Sequence, residues 1–308
     1  MSIGLTLTLA VVKLPNFAHA EFLTVGAYVG VVLSAIFPNN LIIICTCAFV
    51  VCAIVALAIH HIVYKPLMNR KVTIYFLVLA SFAVAEFVRY SVYTWASVHP
   101  GYLETTQNIK IYNIATIFNV QISNIYTISI ILAIVISALL AVFFNYTYLG
   151  KSMRAIANNF DLARISGINV SFAVNIMWII AGGLGGVGGV FLGTYTSVTP
   201  VLGFNALLDI FAVVIIAGLT SFVGTIIGGY IIGFSTNTVI EALNYYFGVP
   251  IGYAPLIPFV AIVVILMFRP TGLAPNAQTG AMLLKKLTRK NKTSQTEGEN
   301  LQKSSGLK

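Results

Sequence analysis

From Leu41 to Ile59 the chain runs without a single charged side chain. A run of that length is about what a helix needs to cross the hydrocarbon of a bilayer. Similar stretches recur along most of the 308 residues. Hydrocarbon offers no partner to a backbone N–H or C=O, so only helices and closed barrels can span it. Barrel strands alternate in polarity residue by residue, whereas these runs are continuously apolar. The expected fold is therefore all-α, a polytopic transmembrane bundle of about 8–9 membrane segments. Only 8% of residues are charged, against roughly a quarter in a soluble domain, so the chain lacks the polar surface to stay dissolved.

Candidate spans cover 1–14, 22–37, 41–64, 72–96, 126–146, 172–196, 206–220, 223–243 and 254–268. The first is too short to cross alone. It starts at Met1 with no charged segment before its apolar run, which fits a cleaved signal peptide poorly. Either the helix begins with residues that precede this chain, or it is only partly inserted.

Lys and Arg of short loops set orientation. Lys65, Arg70 and Lys71, then Lys151, Arg154 and Arg164, then Arg269 and the basic tail all fall on one side of a nine-span arrangement. That places the C-terminus in the cytoplasm. The net charge of +9 is thus a topology signal rather than a nucleic-acid footprint. Residues 1–276 read as one membrane domain, and 277–308 as a basic, disordered cytoplasmic tail. The outer loop 97–125 holds aromatic and amide groups such as Tyr102, Tyr112 and Asn119. The inner loop 147–171 reads as a short amphipathic helix.

Several motifs carry no chemistry here. Gly150-Lys151-Ser152 lacks the preceding glycine of a phosphate-binding loop, since Asn145 stands there. Gly183, Gly185 and Gly188 spell a dinucleotide fingerprint inside an apolar helix, where no pyrophosphate reaches. Gly182, Gly186, Gly189 and Gly193 share one helix face that lets a neighbour approach closely, and Gly224 and Gly228 repeat the device. His19 and Glu21 lack the companion cysteines of a zinc site, and Cys45, Cys47 and Cys52 behave as small hydrophobes. No metal, cofactor or catalytic constellation is expected.

Glu86 and Arg89 lie inside a span, three residues apart and on one helix face. Ionisable groups in a membrane face a wet cavity or the bundle interior. The pair therefore lines a pathway, or else forms a structural ion pair near the outer interface. Asp209 and Glu241 are placed to reach the outer headgroups.

Four separated segments, in order, resemble one family. Asn16-Phe17-Ala18-His19-Ala20-Glu21-Phe22 with Gly26-Ala27-Tyr28 is similar to the N-F-A-H-G-E-F…G-A-Y signature of branched-chain amino-acid ABC transporter permeases of the LivH type. Residues 150–170, GKSMRAIANNFDLARISGINV, resemble the family's coupling loop. Gly203-Phe204, Ala217-Gly218-Leu219 and Gly224 to Gly233 resemble its late glycine-rich helices. Arg269-Pro270-Thr271-Gly272-Leu273 resembles its terminal motif. Ala20 departs from the usual glycine, and 97–125 matches poorly.

The resemblance implies a type II importer permease in a prokaryotic plasma membrane. Its expected partners are a second permease subunit (a copy or a paralogue), two cytoplasmic ATP-binding subunits and an external substrate-binding protein. The solute would be a branched-chain amino acid, with urea or another small amide as a variant. A stand-alone secondary transporter or channel is the competing class, and it needs no ATPase-docking loop. Gly150, Arg154, Ala157, Asp161, Ala163 and Gly167 are the expected coupling residues. Asn16, His19 and Glu21 either help form the path or its gate, or act as a polar hinge between helices.

Overall fold

The computed structural model describes residues 1–70, 72–110, 112–117, 120–219, 221–269 and 272. The tail 277–308, Asn119, Lys71, and Pro270, Thr271 and Leu273 of the terminal motif lie outside the described residues.

Among the described residues, seven helical segments are long and apolar enough to cross a membrane, running over Phe17–Ile36, Leu41–Asn69, Ile74–Val98, Asn124–Tyr146, Val170–Tyr195, Phe222–Phe247 and Ile251–Phe268. Two shorter apolar helices complete the set: α1 (Ser2–Val12) and α10 (Leu202–Ala217). These nine segments correspond to the nine apolar runs. At 1.5 Å per residue α1 covers about 16 Å, half the hydrocarbon thickness. The remaining elements are a 3-10 turn (Phe17–Ala20), α2 (Glu21–Ile36), α3 (Leu41–Ile59), a π-helical turn (His60–Tyr64), α4 (Lys65–Asn69), α5 (Ile74–Val98) and α6 (Asn124–Tyr146). They continue with α7 (Tyr148–Asn158), α8 (Phe160–Ile165), α9 (Val170–Tyr195), α11 (Phe222–Phe247) and α12 (Leu256–Phe268). A two-stranded antiparallel hairpin, β1 (Asn113–Ile117) with β2 (Val120–Ser123), stands between α5 and α6.

The centre of the bundle is α9, against which α1, α2 and α3 pack. Its glycines explain that position. A Cβ on Gly182 or Gly186 would strike the backbone of α3 at Cys52 or Ala48, and one on Gly189 would strike Leu23 of α2. Gly193 sits against Gln107, Val198 and Ala27. The glycine surface extends round the helix, because Gly183 lies under Phe49, Gly185 under Phe22 and Gly188 under Met1. Gly26 of the GAY motif faces Gly186, so α2 and α9 meet glycine to glycine. The second glycine set is looser: the nearest atom to a Cβ on Gly228 would be the Val213 carbonyl at 3.2 Å.

At one end of the bundle, residues 102–108 close over α2 and α9. Tyr28 donates to the Tyr102 carbonyl at 3.0 Å, Asn108 N–H donates to Ser34 at 3.0 Å, and Thr194 donates to Gln107 Oε1 at 3.1 Å. On the opposite side Gly272 packs against Gly218, whose φ of 97° caps α10 in the left-handed conformation. Gly272 of the terminal motif therefore lies over the end of α10.

A charged group at mid-depth and a two-helix inner loop

Lys13 ends α1 in the left-handed conformation, and Pro15 keeps the next residues extended. The chain then climbs back beside α5. Ser81 donates to the Pro15 carbonyl at 3.4 Å and accepts from Phe17 N–H at 3.3 Å, and Arg89 reaches Glu21. Ser81 and Arg89 stand about 10 and 22 Å along α5 from Ile74. The polar Asn16–Glu21 element thus lies within the membrane span, not at its surface.

Each member of that element has its own partner. Asn16 Oδ1 caps the 3-10 turn through Ala18 N–H at 3.1 Å and accepts from the Tyr64 hydroxyl at 2.8 Å. Tyr64 stacks on Trp178, as does His60, so the π-helical turn is wedged against α9. His19 points the other way, with Nε2 3.1 Å from the Met1 carbonyl and Gly4 beside its ring. Asn16 and His19 are fully enclosed within this chain. That position fits a polar hinge between α1 and α2.

Glu21 is different. Arg89 donates to its Oε1 at 3.0 and 2.7 Å, and to Glu86 Oε1 at 3.0 Å. The Thr24 hydroxyl donates to Glu21 Oε2 at 3.0 Å and accepts from Gly203 N–H at 3.0 Å, tying the group to the first turn of α10. Phe204 covers the guanidinium 4.3 Å from its ring centre, a cation–π contact. The sequence pairs Glu86 with Arg89. Only the fold adds Glu21, 68 residues away, so two carboxyl groups share one guanidinium. Glu86 is the central residue of the 25-residue α5, about 18 Å from either end. The Glu86 side chain is 32% exposed while Glu21 is 1% exposed, so the group opens to one side of α5.

Asp209 also departs from expectation. It stands in the middle of α10 rather than at an outer end, half-buried, and lines a cavity of about 600 Å³ bounded by α1, α6, α9 and α11. That cavity lies on the far side of α10 from Phe211, since two residues turn the helix by about 200°.

The inner loop is two helices rather than one. Thr147 caps α7 through Gly150 N–H, Asn159 caps α8 through Leu162 N–H, and Asn169 caps α9 through Phe172 N–H, each at 3.0 Å. Gly167, at φ 82°, ends α8 as expected. Gly150 and Ala163 are buried, and Gly150 is pressed against the end of α6. They pack the loop against the bundle. Met153 and Ile156 belong to the same core as Trp178, Tyr64 and Leu14. Arg154, Asp161 and Gly167 are exposed, and Ala157 is half-buried. Phe160, Leu162 and Ile165 are exposed too, Ile165 to 83%. Sequence reasoning passed over these three. Their alternation with Asp161 and Arg164 was the available signal.

Residues 1–267 match the family described as "Branched-chain amino acid transport system / permease component". The chain belongs to this permease family. Among its relatives is the probable branched-chain amino acid transport permease protein LivH of Methanocaldococcus jannaschii, 30% identical over 274 residues, covering 89% of this chain and 87% of the relative. The high-affinity branched-chain amino acid transport system permease protein LivH of Escherichia coli K12 is 24% identical over 294 residues, covering 89% of each. Its counterpart BraD of Pseudomonas aeruginosa is 25% identical over 287 residues, covering 89% and 90%. No solved structure matches. Seven apolar spans and this family together make the permease a multi-pass membrane protein.

Proposed function

We propose that this permease is the membrane subunit of an ATP-driven importer for branched-chain amino acids. The observation that carries the reading is the Glu21–Arg89–Glu86 group, two carboxyl groups on one guanidinium and open to one side at mid-depth in a protein whose relatives are named for branched-chain amino acid transport. A charge half-way through a span is costly against lipid. The open side of α5 therefore faces a water-filled path shared with a second permease subunit, a copy or a paralogue. A zwitterionic solute can answer both signs of charge there, whereas urea or another neutral amide answers neither.

Residues 147–171 and the tail 277–308 lie on the cytoplasmic side in this reading, and 1–276 form the permease domain. Two ATP-binding subunits dock on the inner loop, with Phe160, Leu162 and Ile165 entering an apolar groove and Arg154, Asp161 and Arg164 at its rim. Met153 and Ile156 carry their motion into α1 and α9. An external substrate-binding protein docks on the outer loop 97–125. Tagged protein expressed with its partner subunits and reconstituted in liposomes should take up leucine, isoleucine and valine only with ATP inside. Uptake of urea but none of these amino acids would overturn the reading.

The docking face makes a separate prediction. Ile165→Asp should insert normally and elute as a single species, because the side chain touches little of its own chain. ATP-binding subunits should then fail to co-purify. Their undiminished co-purification would remove α8 from the interface. Ala163→Glu is the poorer probe, since burying a carboxylate there would disturb the loop itself.

A further inference from the structure

Below the charged group lies a second feature on the same open strip. Phe17 of the 3-10 turn stacks on Phe211 of α10 at 5.0 Å and meets Phe82 of α5 edge-on at 6.1 Å. Phe82 is 45% exposed, and Phe17 and Phe211 are half-buried. The strip has a consistent order. Phe82, Glu86, Arg89 and Tyr93 follow one another along one face of α5 at helical spacing. Phe211 and Phe204, seven residues apart on α10, run antiparallel to them. The rings lie on the side toward α4 and α7, with the charges one turn further out. Because partly exposed Glu86 sits within this strip, the rings beside it face the same wet space and not lipid.

Resting on the reading above, we propose that this strip is a substrate subsite that reads both ends of a hydrophobic amino acid. Glu86 accepts the α-ammonium through the oxygen that Arg89 does not hold. Arg89 has five N–H donors, of which three serve Glu21 and Glu86, and the others face the α-carboxylate. The aliphatic side chain rests on Phe17, Phe82 and Phe211. One turn of α5 separates Phe82 from Glu86, about 6 Å, which suits the reach across a leucine molecule. A solute with no aliphatic side chain leaves the ring shelf unfilled, so the rings favour leucine, isoleucine and valine over alanine.

The test uses the intact complex in liposomes, with uptake of labelled leucine and alanine measured side by side. Phe82→Ala with Phe211→Ala should lower the leucine-to-alanine uptake ratio by about tenfold, the scale set by losing apolar contacts in a pocket. Phe82→Leu with Phe211→Leu keeps most of the apolar volume and should shift the ratio less, in the same direction. Glu86→Gln should lower uptake of both amino acids about tenfold and leave the ratio as it was. A ratio unchanged in the double-alanine variant overturns the proposal. Where that variant fails to insert, an unchanged ratio in the double-leucine variant overturns it. Wild-type uptake by Glu86→Gln overturns the ammonium contact. A wild-type complex that moves neither amino acid would instead sink the importer reading, a result distinct from leucine uptake with unaltered selectivity.

Discussion

Arg89→Ala should abolish uptake and destabilise the protein by about 3–5 kcal/mol, the usual cost of stripping one partner from a buried ion pair. Glu21 would be left enclosed at mid-depth with only the Thr24 hydroxyl to answer it. The cost comes from the orphaned carboxylate more than from the lost attraction. The triple change Arg89→Met, Glu21→Gln, Glu86→Gln removes both signs together. It should recover most of the thermal stability in detergent, and it should remain inactive in uptake. Recovery of transport by this triple variant would show that the group serves only to hold α5, α2 and α10 together. A single Arg89→Ala protein as stable as wild type would show that water already reaches Glu21.

Gly189→Val should prevent assembly of the bundle. A Cβ there would collide with the backbone of Leu23, and backbone cannot rotate aside as a flexible side chain can. Ordinary overpacking costs about 1–3 kcal/mol, and here relief requires moving α2 bodily away from α9. Gly233 on α11 provides the contrast. No atom lies within 4 Å of a Cβ at that position, so Gly233→Ala should gain up to about 1 kcal/mol of helix propensity. Detergent-solubilised yield and size-exclusion profile separate the two. A monodisperse Gly189→Val protein with wild-type thermal stability would mean that α2 and α9 do not touch as described.

The apolar runs carried the architecture because a bilayer forces every backbone group to be satisfied within its own helix. The period of the α9 glycines likewise foretold close packing, although the sequence showed one smooth face where the fold uses several. Helix caps at Thr147, Asn159 and Asn169 were written in residue types suited to the role. The break at Asn159 was harder to see, because it divides a loop whose amphipathic pattern continues through it. Ala163 and Gly150 were matched by motif alone, and motif does not reveal which side of a short helix is covered.

The sequence by itself determined that the chain crosses a membrane many times, that α9 is smooth, and that Glu86 and Arg89 share a face. These follow from local chemistry and helical period. Tertiary structure alone decided that the Asn16–Glu21 element climbs beside α5, and that Glu21 completes the charged group while Asn16 and His19 turn elsewhere. Those outcomes depend on contacts across 18 to 68 residues of chain. A helical period carries no information about such a distance. The physical reason is that a polar side chain within a membrane takes whichever partner packing brings to it, and packing is a property of the whole bundle.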